Sequence, residues 1–76
     1  MKLCDAKKFV PLVIQRVAVD GKTERRLKEL GLFVGARIQL VAFSPLKSSV
    51  LVEMEGVRVA VSRSVAFLVE VGEIER

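Results

Sequence analysis

Residues 23–41 read TERRLKELGLFVGARIQLV and specify most of the architecture. Leu27 and Leu30 lie three positions apart, which places both side chains on one face of a helix. Gly31 follows at the C′ position, where the left-handed backbone conformation that ends many helices costs glycine little. A helix this short depends on packing more than on propensity. The stretch therefore predicts a short helix whose Leu27 and Leu30 face a core built mainly by strands.

The strand after this helix begins at Gly35 and alternates in polarity. Its better inward face is the even-numbered set Ala36, Ile38, Leu40 and Ala42. Before the helix, Asp20-Gly21 is typical of a turn, and Thr23 is a suitable residue to cap the first helical turn. We therefore expect the helix to start at about Thr23 and the next strand to start at Gly35.

A tight hairpin about Glu55-Gly56 is the clearest supersecondary element of the sequence. Two alternating runs flank this pair, and their predicted inward residues are Val50, Val52 and Met54 before it and Val57, Val59 and Val61 after it. Glu53 and Arg58 then fall on the outward faces of neighbouring strands. The pairing predicts that these two side chains meet across the ladder.

Two further strands complete a mainly β fold. The apolar run 9–19 predicts the first strand, and 67–71 predicts the last, with Phe67 facing inward. Residues 62–66 are long enough for one 3₁₀-like turn. The sequence thus predicts a single domain over 1–76, with about five strands and one short helix after the first strand. Strands this short avoid exposed edges best by curling into a small barrel.

The composition leaves little catalytic chemistry. The chain has no histidine, which is the commonest general base and metal ligand. Cys4 is its only cysteine, and only Asp5 accompanies it in sequence. We therefore expect no enzymatic activity, no catalytic residue, no bound cofactor and no metal site. The glycines lack the Lys-Ser/Thr of a phosphate-binding loop, so the structural glycines are predicted to be Gly31, Gly35 and Gly56.

The sequence also favours a location inside the cell. No run of about eighteen apolar residues is present, so we expect no direct membrane insertion. The N-terminal segment has no apolar core of signal-peptide length, because Asp5, Lys7 and Lys8 interrupt it. A single thiol cannot form an intramolecular disulfide, which favours a reducing compartment. The expected location is the cytoplasm.

The net charge of +4 is concentrated near the predicted helix. Arg25, Arg26 and Lys28 project from that helix, and Leu46-Lys47 lies in the one long loop. A basic rim beside an apolar anchor is common in small interaction modules, so these five are the predicted partner-binding residues. The plainest interpretation of such charges is a solvated surface. Nucleic acid is not the expected ligand, because no aromatic residues are interleaved with the basic ones.

Several short motifs occur together between Leu3 and about Val71. They are Arg26-Leu27, Leu30-Gly31-Leu32, Gly35 before a strand, Ser44-Pro45-Leu46, the Gly56 hairpin and Arg63 to Ala66. In this combination the chain resembles the FeoA family of small cytosolic components of bacterial ferrous iron transport. This resemblance implies an SH3-like barrel related to the C-terminal domain of iron-dependent repressors. It also implies an accessory protein whose partner is FeoB, the membrane permease with a cytosolic G-protein domain.

Other functions remain open at the level of sequence. One is a small nucleic-acid-binding barrel, whose affinity would fall steeply with salt because bound counterions are released. Another is a stand-alone regulatory SH3-like domain related to iron-dependent repressors, and a weak homo-oligomer is also open. A permease gene beside this one would favour the accessory function in iron transport over the stand-alone regulator.

Overall fold

The structure is a computed structural model that describes residues 1–74. Residues 75 and 76 of the single domain predicted over 1–76 lie outside the described part. The five strands are β1 Leu12–Val17, β2 Arg37–Phe43, β3 Ser49–Met54, β4 Val57–Ser62 and β5 Val69–Glu73. The helices are α1 Gly21–Glu29 and α2 Arg63–Ala66, and two 3₁₀ turns cover Leu3–Asp5 and Pro45–Lys47.

All five strands form one antiparallel sheet in the order β4-β3-β2-β1-β5. The register shifts between Ile14 and Arg16 in β1 and between Leu40 and Ala42 in β2. Such bulges bend strands and increase their twist, so the sheet can curl around its own apolar face. The predicted class, a mainly β domain of five strands with one short helix after the first, is confirmed.

The core lies on the concave face of this sheet. The predicted alternation holds in the middle of the strands, where Ile38 and Leu40 of β2 and Val50 and Val52 of β3 are buried. Leu3 of the first 3₁₀ turn also points inward. The largest fully buried side chains are Leu3, Leu12, Ile14, Leu40, Val50, Val52 and Val71. Aliphatic residues therefore supply the packing, as suits pleated strands.

The hairpin between β3 and β4 is present as predicted. Met54 pairs with Val57, and the two linking residues Glu55 and Gly56 both have positive φ, 49° and 81°. This is the conformation of the type I′ turn, whose twist matches that of the flanking strands. Outside the turn, the Arg58 guanidinium lies 2.9 Å from the Glu53 carboxylate, which confirms the predicted cross-strand pair.

Several predicted details are wrong. Strand β2 begins at Arg37, two residues after the predicted start at Gly35, and the last strand covers Val69–Glu73 where 67–71 was predicted. The first strand begins at Leu12, because Phe9 has a φ of 66° and turns the chain before the strand starts. Residues Arg63–Ala66 form one turn of α-helix, capped by the Ser62 hydroxyl, where a 3₁₀-like turn was expected. Phe67 ends that helix, precedes β5 and is half exposed. Its side chain is therefore absent from the inward face predicted for the last strand.

Candidate protein-docking site

Helix α1 begins two residues earlier than the sequence predicted. Asp20 is the N-cap, and its Oδ1 accepts a hydrogen bond from the Thr23 backbone N–H at 2.9 Å. Thr23 is therefore the residue that donates to the cap, and the prediction that it is the cap is wrong. Hydrogen bonding from the Thr23 side chain and, to a smaller extent, from the Thr23 backbone N–H lowers the pKa of the Asp20 carboxyl below its usual value, because both favour the charged form.

Helix α1 ends with Gly31 at C′ as the sequence predicted, and the backbone there forms a Schellman motif. The Gly31 N–H donates to the Lys28 carbonyl at 3.0 Å, and the Leu32 N–H donates to the Leu27 carbonyl at 2.8 Å. Leu27 and Leu32 are buried. Leu30, however, is 45% exposed, so its predicted position in the core is wrong. It is the C-cap residue, where the helix leaves the sheet, and its side chain lies on the surface.

An open apolar groove lies between this helix end and the β3–β4 hairpin. Leu30, Phe33, Met54 and Val57 contribute to its lining. Phe33 also lines a neighbouring depression together with Val34, so the two concave surfaces adjoin. Leu30 and Phe33 are each 45% exposed and Val57 is 57% exposed. Contiguous exposed apolar side chains of this kind mark interaction sites more often than isolated ones do.

Charged groups of both signs surround the groove. Lys28 forms an ion pair with Glu24 at 3.8 Å. Glu29, Arg37 and Glu55 also line the groove, and none of them forms an ion pair within residues 1–74. An apolar centre with a charged, solvated rim is the usual composition of a protein interface. We call the two adjoining concave surfaces together, with their exposed apolar residues Leu30, Phe33, Val34 and Val57, the groove.

The predicted partner-binding residues on α1 lie at this end of the molecule. Arg25, Arg26 and Lys28 are all exposed, and Lys28 lines the groove itself. The end of α1 lies beside the end of β3, since a Cβ atom added at Gly31 would lie 2.8 Å from the Met54 Sδ. Lys28 therefore adjoins the groove, and Arg25 and Arg26 lie on the same helix outside its lining.

Leu46 and Lys47, the other two predicted residues, lie at the opposite end of β3. Their loop closes through Ser44, whose N–H donates to the Ser49 carbonyl at 3.0 Å. Strand β3 runs from Ser49 to Met54, so roughly 17 Å separates this loop from the groove. Leu46 is 98% exposed and has a φ of 64°. The structure therefore does not bring the five predicted residues together on one small surface.

Comparison with known proteins identifies the family. A model of the FeoA domain matches residues 1–73. The chain belongs to the FeoA domain family. A search of curated proteins found no match.

Solved structures of FeoA proteins share the fold. The FeoA protein of Chlorobium tepidum is 29% identical, with a TM-score of 0.90 over 99% of this chain and 71% of that one. FeoA of Stenotrophomonas maltophilia is 28% identical, with a TM-score of 0.74 over 95% and 89% of the two chains. That protein was solved as a zinc complex and is described as an SH3 domain protein and a candidate activating factor of ferrous iron transport.

A third solved structure, that of a regulator, shares only the fold with this chain. The manganese regulator SloR is 15% identical, with a TM-score of 0.83 over 97% of this chain and 34% of its own. This FeoA-family protein therefore has the SH3-like architecture that its sequence resemblance implied, and its family links it to ferrous iron transport.

The three predicted structural glycines have backbone conformations that favour glycine. Gly31, Gly35 and Gly56 have φ of 95°, 94° and 81°. At Gly31 space is limited as well, because the Met54 sulfur occupies the volume that a Cβ would need. The three positions therefore shape the backbone around the groove.

Metal-ligating side chains are dispersed in this FeoA-family protein. Within residues 1–74, no three Cys, Asp or Glu side chains lie close enough to hold an ion. Cys4 is free and partly buried, and its Sγ lies 3.9 Å from the Asp5 carboxylate. No helix in the same part of the chain is long and apolar enough to cross a membrane.

Sequence reasoning missed the apolar residues that define the groove. Phe33 and Val34 lie between the helix stop at Gly31 and the strand, in a short connection where polar residues are usual. Two large apolar residues in such a connection were a usable signal. Val57 was predicted to face inward, and it does share the inward face of β4, but the strand end leaves it exposed.

Proposed function

We propose that this protein is a non-enzymatic accessory protein of ferrous iron transport that acts in the cytoplasm by docking on a FeoB-type permease. The observation that carries the proposal is the groove beside the basic residues of α1, on a domain of the FeoA family. A rigid small barrel with an apolar surface and a charged rim is suited to binding a protein.

The docking contacts follow from this geometry. The side chains of the groove would supply the buried apolar centre of the interface. Arg25, Arg26 and Lys28 would lie at its rim, where charges mainly affect the association rate and its dependence on salt. Leu46 and Lys47 keep their proposed role only if the partner extends along β3 to the opposite end of the domain.

The direct test is a calorimetric titration with the cytosolic G-protein domain of the FeoB-type permease from the same genome. Phe33→Ser removes an apolar side chain of the groove, and the double variant Arg25→Glu, Lys28→Glu reverses the charge of the rim. Both variants should bind more weakly than the unmodified protein. Circular dichroism should show intact folding, since exposed charges contribute little to stability.

A matched control is available at the other end of the domain. The double variant Leu46→Ser, Lys47→Glu changes one apolar and one basic residue, and it should leave binding by a compact partner unchanged. If this control abolishes binding and Phe33→Ser does not, the docking site lies at the loop end. If the unmodified protein does not bind the permease domain at all, the proposed function is refuted.

The same preparations test the nucleic-acid alternative. Titration with short single-stranded and double-stranded oligonucleotides at low salt should show no saturable binding. Tight binding that falls steeply as salt rises would favour a nucleic-acid-binding barrel, because that dependence reflects the release of counterions from phosphates.

A further inference from the structure

Strand β4 is an edge strand with free backbone groups. It pairs with β3 alone, from Met54 and Val57 at the turn to Ser49 and Ser62 at the far end. In a two-residue hairpin the residues that flank the turn exchange both backbone hydrogen bonds, and alternate pairs do so thereafter. The N–H and C=O groups of Arg58 and Ala60 therefore point away from β3. Within residues 1–74, no other segment pairs with this edge.

The opposite edge of the sheet is covered. Beside β5, the Val71 N–H donates to the Met1 carbonyl at 2.7 Å, and Lys2 forms a bridge with Glu70. The N-terminal residues thus lie against β5 as a short additional strand. Proteins usually cover, bend or charge their free edges, because an open edge is a template for another strand. The domain has this protection at β5 and lacks it at β4.

Strand β4 also lacks the devices that make an edge unsuitable for pairing. Its six residues continue the register with β3 without a bulge, and none of them is a proline or a lysine. Its one charged residue, Arg58, is held by Glu53 on the outer face of the sheet at 2.9 Å. The backbone edge of β4 is therefore regular and accessible, and its chemistry fits an extended polypeptide.

The free edge begins at the groove. Val57 is the first residue of β4, is 57% exposed, and lines the groove with Leu30 and Phe33. Side chains of a paired strand alternate between the two faces of a sheet. A segment added along β4 would therefore place one side chain opposite Val57, beside the groove. In such complexes the backbone supplies affinity and the pockets supply selectivity.

A second copy of this chain fits the edge poorly. Antiparallel pairing of β4 with itself about Ala60 would place Arg63 of the second copy opposite Val57. Pairing about Val59 would place Val61 there, but Val61 is buried in its own core and cannot reach the groove. Neither register fills the groove with an apolar side chain. These are the two antiparallel registers with the longest overlap, so a segment of a different protein fits the edge and the groove better than a second copy does.

We propose that β4 pairs with an extended segment of the protein partner, which adds a sixth strand and places an apolar side chain in the groove. This inference rests on the proposed function, since the partner is the cytosolic domain of the permease. It adds that the part of the partner that binds is an extended segment, whose side chains alternate between the two faces of the sheet.

Amide hydrogen exchange of the unmodified protein, followed by nuclear magnetic resonance, tests the pairing directly. In the free protein the amide hydrogens of Arg58 and Ala60 should exchange fast, and those of Val59 and Val61 should be protected by β3. The permease domain should protect Arg58 and Ala60 without changing the other two amides. If binding occurs and Arg58 and Ala60 stay unprotected, the edge proposal fails while the proposed function stands. Absence of any binding overturns both.

A substitution gives a second, independent readout. Ala60→Pro removes the outward N–H and places a ring on the edge, and it leaves the bonds to β3 intact because that N–H does not join them. Its affinity for the permease domain should fall by about tenfold or more, because a hydrogen bond is lost and the approach is blocked. The control, Ala60→Thr, keeps the N–H at the same exposed position and should bind as the unmodified protein does.

A second copy of this chain is the competing occupant of the β4 edge. Sedimentation equilibrium measures such self-association. The free protein should be monomeric at concentrations at which it binds the permease domain. A dimer that Ala60→Pro dissociates would assign the edge to a second copy and overturn the proposal. Equal affinity of a folded Ala60→Pro variant for the permease domain would also overturn it.

Discussion

Replacement of Gly31 by alanine should destabilise the protein for two separable reasons. The φ of 95° at this position is one that residues with a Cβ rarely adopt. In addition, the new Cβ would lie 2.8 Å from the Met54 sulfur, closer than real contacts allow. Gly35 has nearly the same φ, 94°, but an added Cβ there meets nothing within 4 Å. Gly35→Ala therefore measures the backbone cost alone.

The two costs can be given magnitudes. A left-handed conformation costs an L-residue roughly 1–2 kcal/mol, and the reduced freedom of the unfolded alanine chain offsets about 0.4–1 kcal/mol of it. The net cost is about 1 kcal/mol at either glycine. Moving Met54 away from its rotamer adds roughly 0.5–1.5 kcal/mol at Gly31 only. We therefore expect Gly31→Ala to lower the free energy of unfolding by about 2 kcal/mol.

Thermal unfolding followed by circular dichroism resolves this difference. For a domain of this size, Gly35→Ala should lower Tm by about 4–8 °C and Gly31→Ala by about twice as much. In a Met54→Ala background the extra loss at Gly31 should disappear, since the steric conflict is gone. Equal losses for the two glycine variants would refute the role of Met54. An unchanged Tm for both would refute the conformational explanation.

Four further predictions concern single features. Gly21→Ala should raise Tm slightly, because Gly21 opens α1, its Cβ would meet nothing within 4 Å, and alanine restricts the unfolded chain. Asp20→Ala should lower Tm at neutral pH and Asp20→Asn should not. Because folding lowers the pKa of Asp20, its contribution is complete above the unfolded value and is lost as pH falls through the folded value, so the Tm difference between the unmodified protein and Asp20→Ala should shrink in acid when both are melted across pH. A double-mutant cycle on Glu53 and Arg58 should give a coupling of about 0.2–1 kcal/mol that weakens with salt, as expected of an exposed pair. Anaerobic calorimetric titration with ferrous ion should show no one-to-one site, and a site that Cys4→Ala removes would contradict this.

The elements that were predictable from sequence are those specified by neighbouring residues. The Schellman motif requires Gly31 at C′, and the type I′ turn requires positive φ at Glu55 and Gly56, so local composition identifies both. The start of α1 was harder to predict. Asp20 and Thr23 are both good capping residues, and a pair such as Asp20-Gly21 is equally compatible with a turn and with the first two positions of a helix.

The site was less predictable, because it depends on which side chains the fold leaves uncovered. Leu30 belongs to the helical periodicity of α1, but it is the C-cap residue at the end of the helix and is left 45% exposed. Lys47 carries the same charge as the basic residues of α1, and Leu46 was predicted to be the apolar anchor beside them. Their separation follows from the direction of β3, which places one group at its start and the other at its end. The sequence therefore predicted a single docking surface, whereas the strand topology places the basic residues of α1 and the Leu46-Lys47 loop on two separate surfaces.

The groove and the stability of the domain depend on the same few contacts, which determines how function can be tested. Gly31 ends α1, Met54 ends β3, and the Met54 sulfur lies where a Cβ at Gly31 would be, so the helix end and the hairpin are closely apposed there. Substitutions at either residue would change folding and the shape of the groove together, so a loss of docking would have no single cause. Phe33 and Ala60 are exposed; Phe33 lies outside the helix cap, and Ala60 pairs with Leu51 of β3 at a position whose backbone groups point away from β3. Variants at these two positions therefore report on docking through the groove and along the edge of β4, and a loss of binding there with an unchanged Tm assigns the effect to the interface.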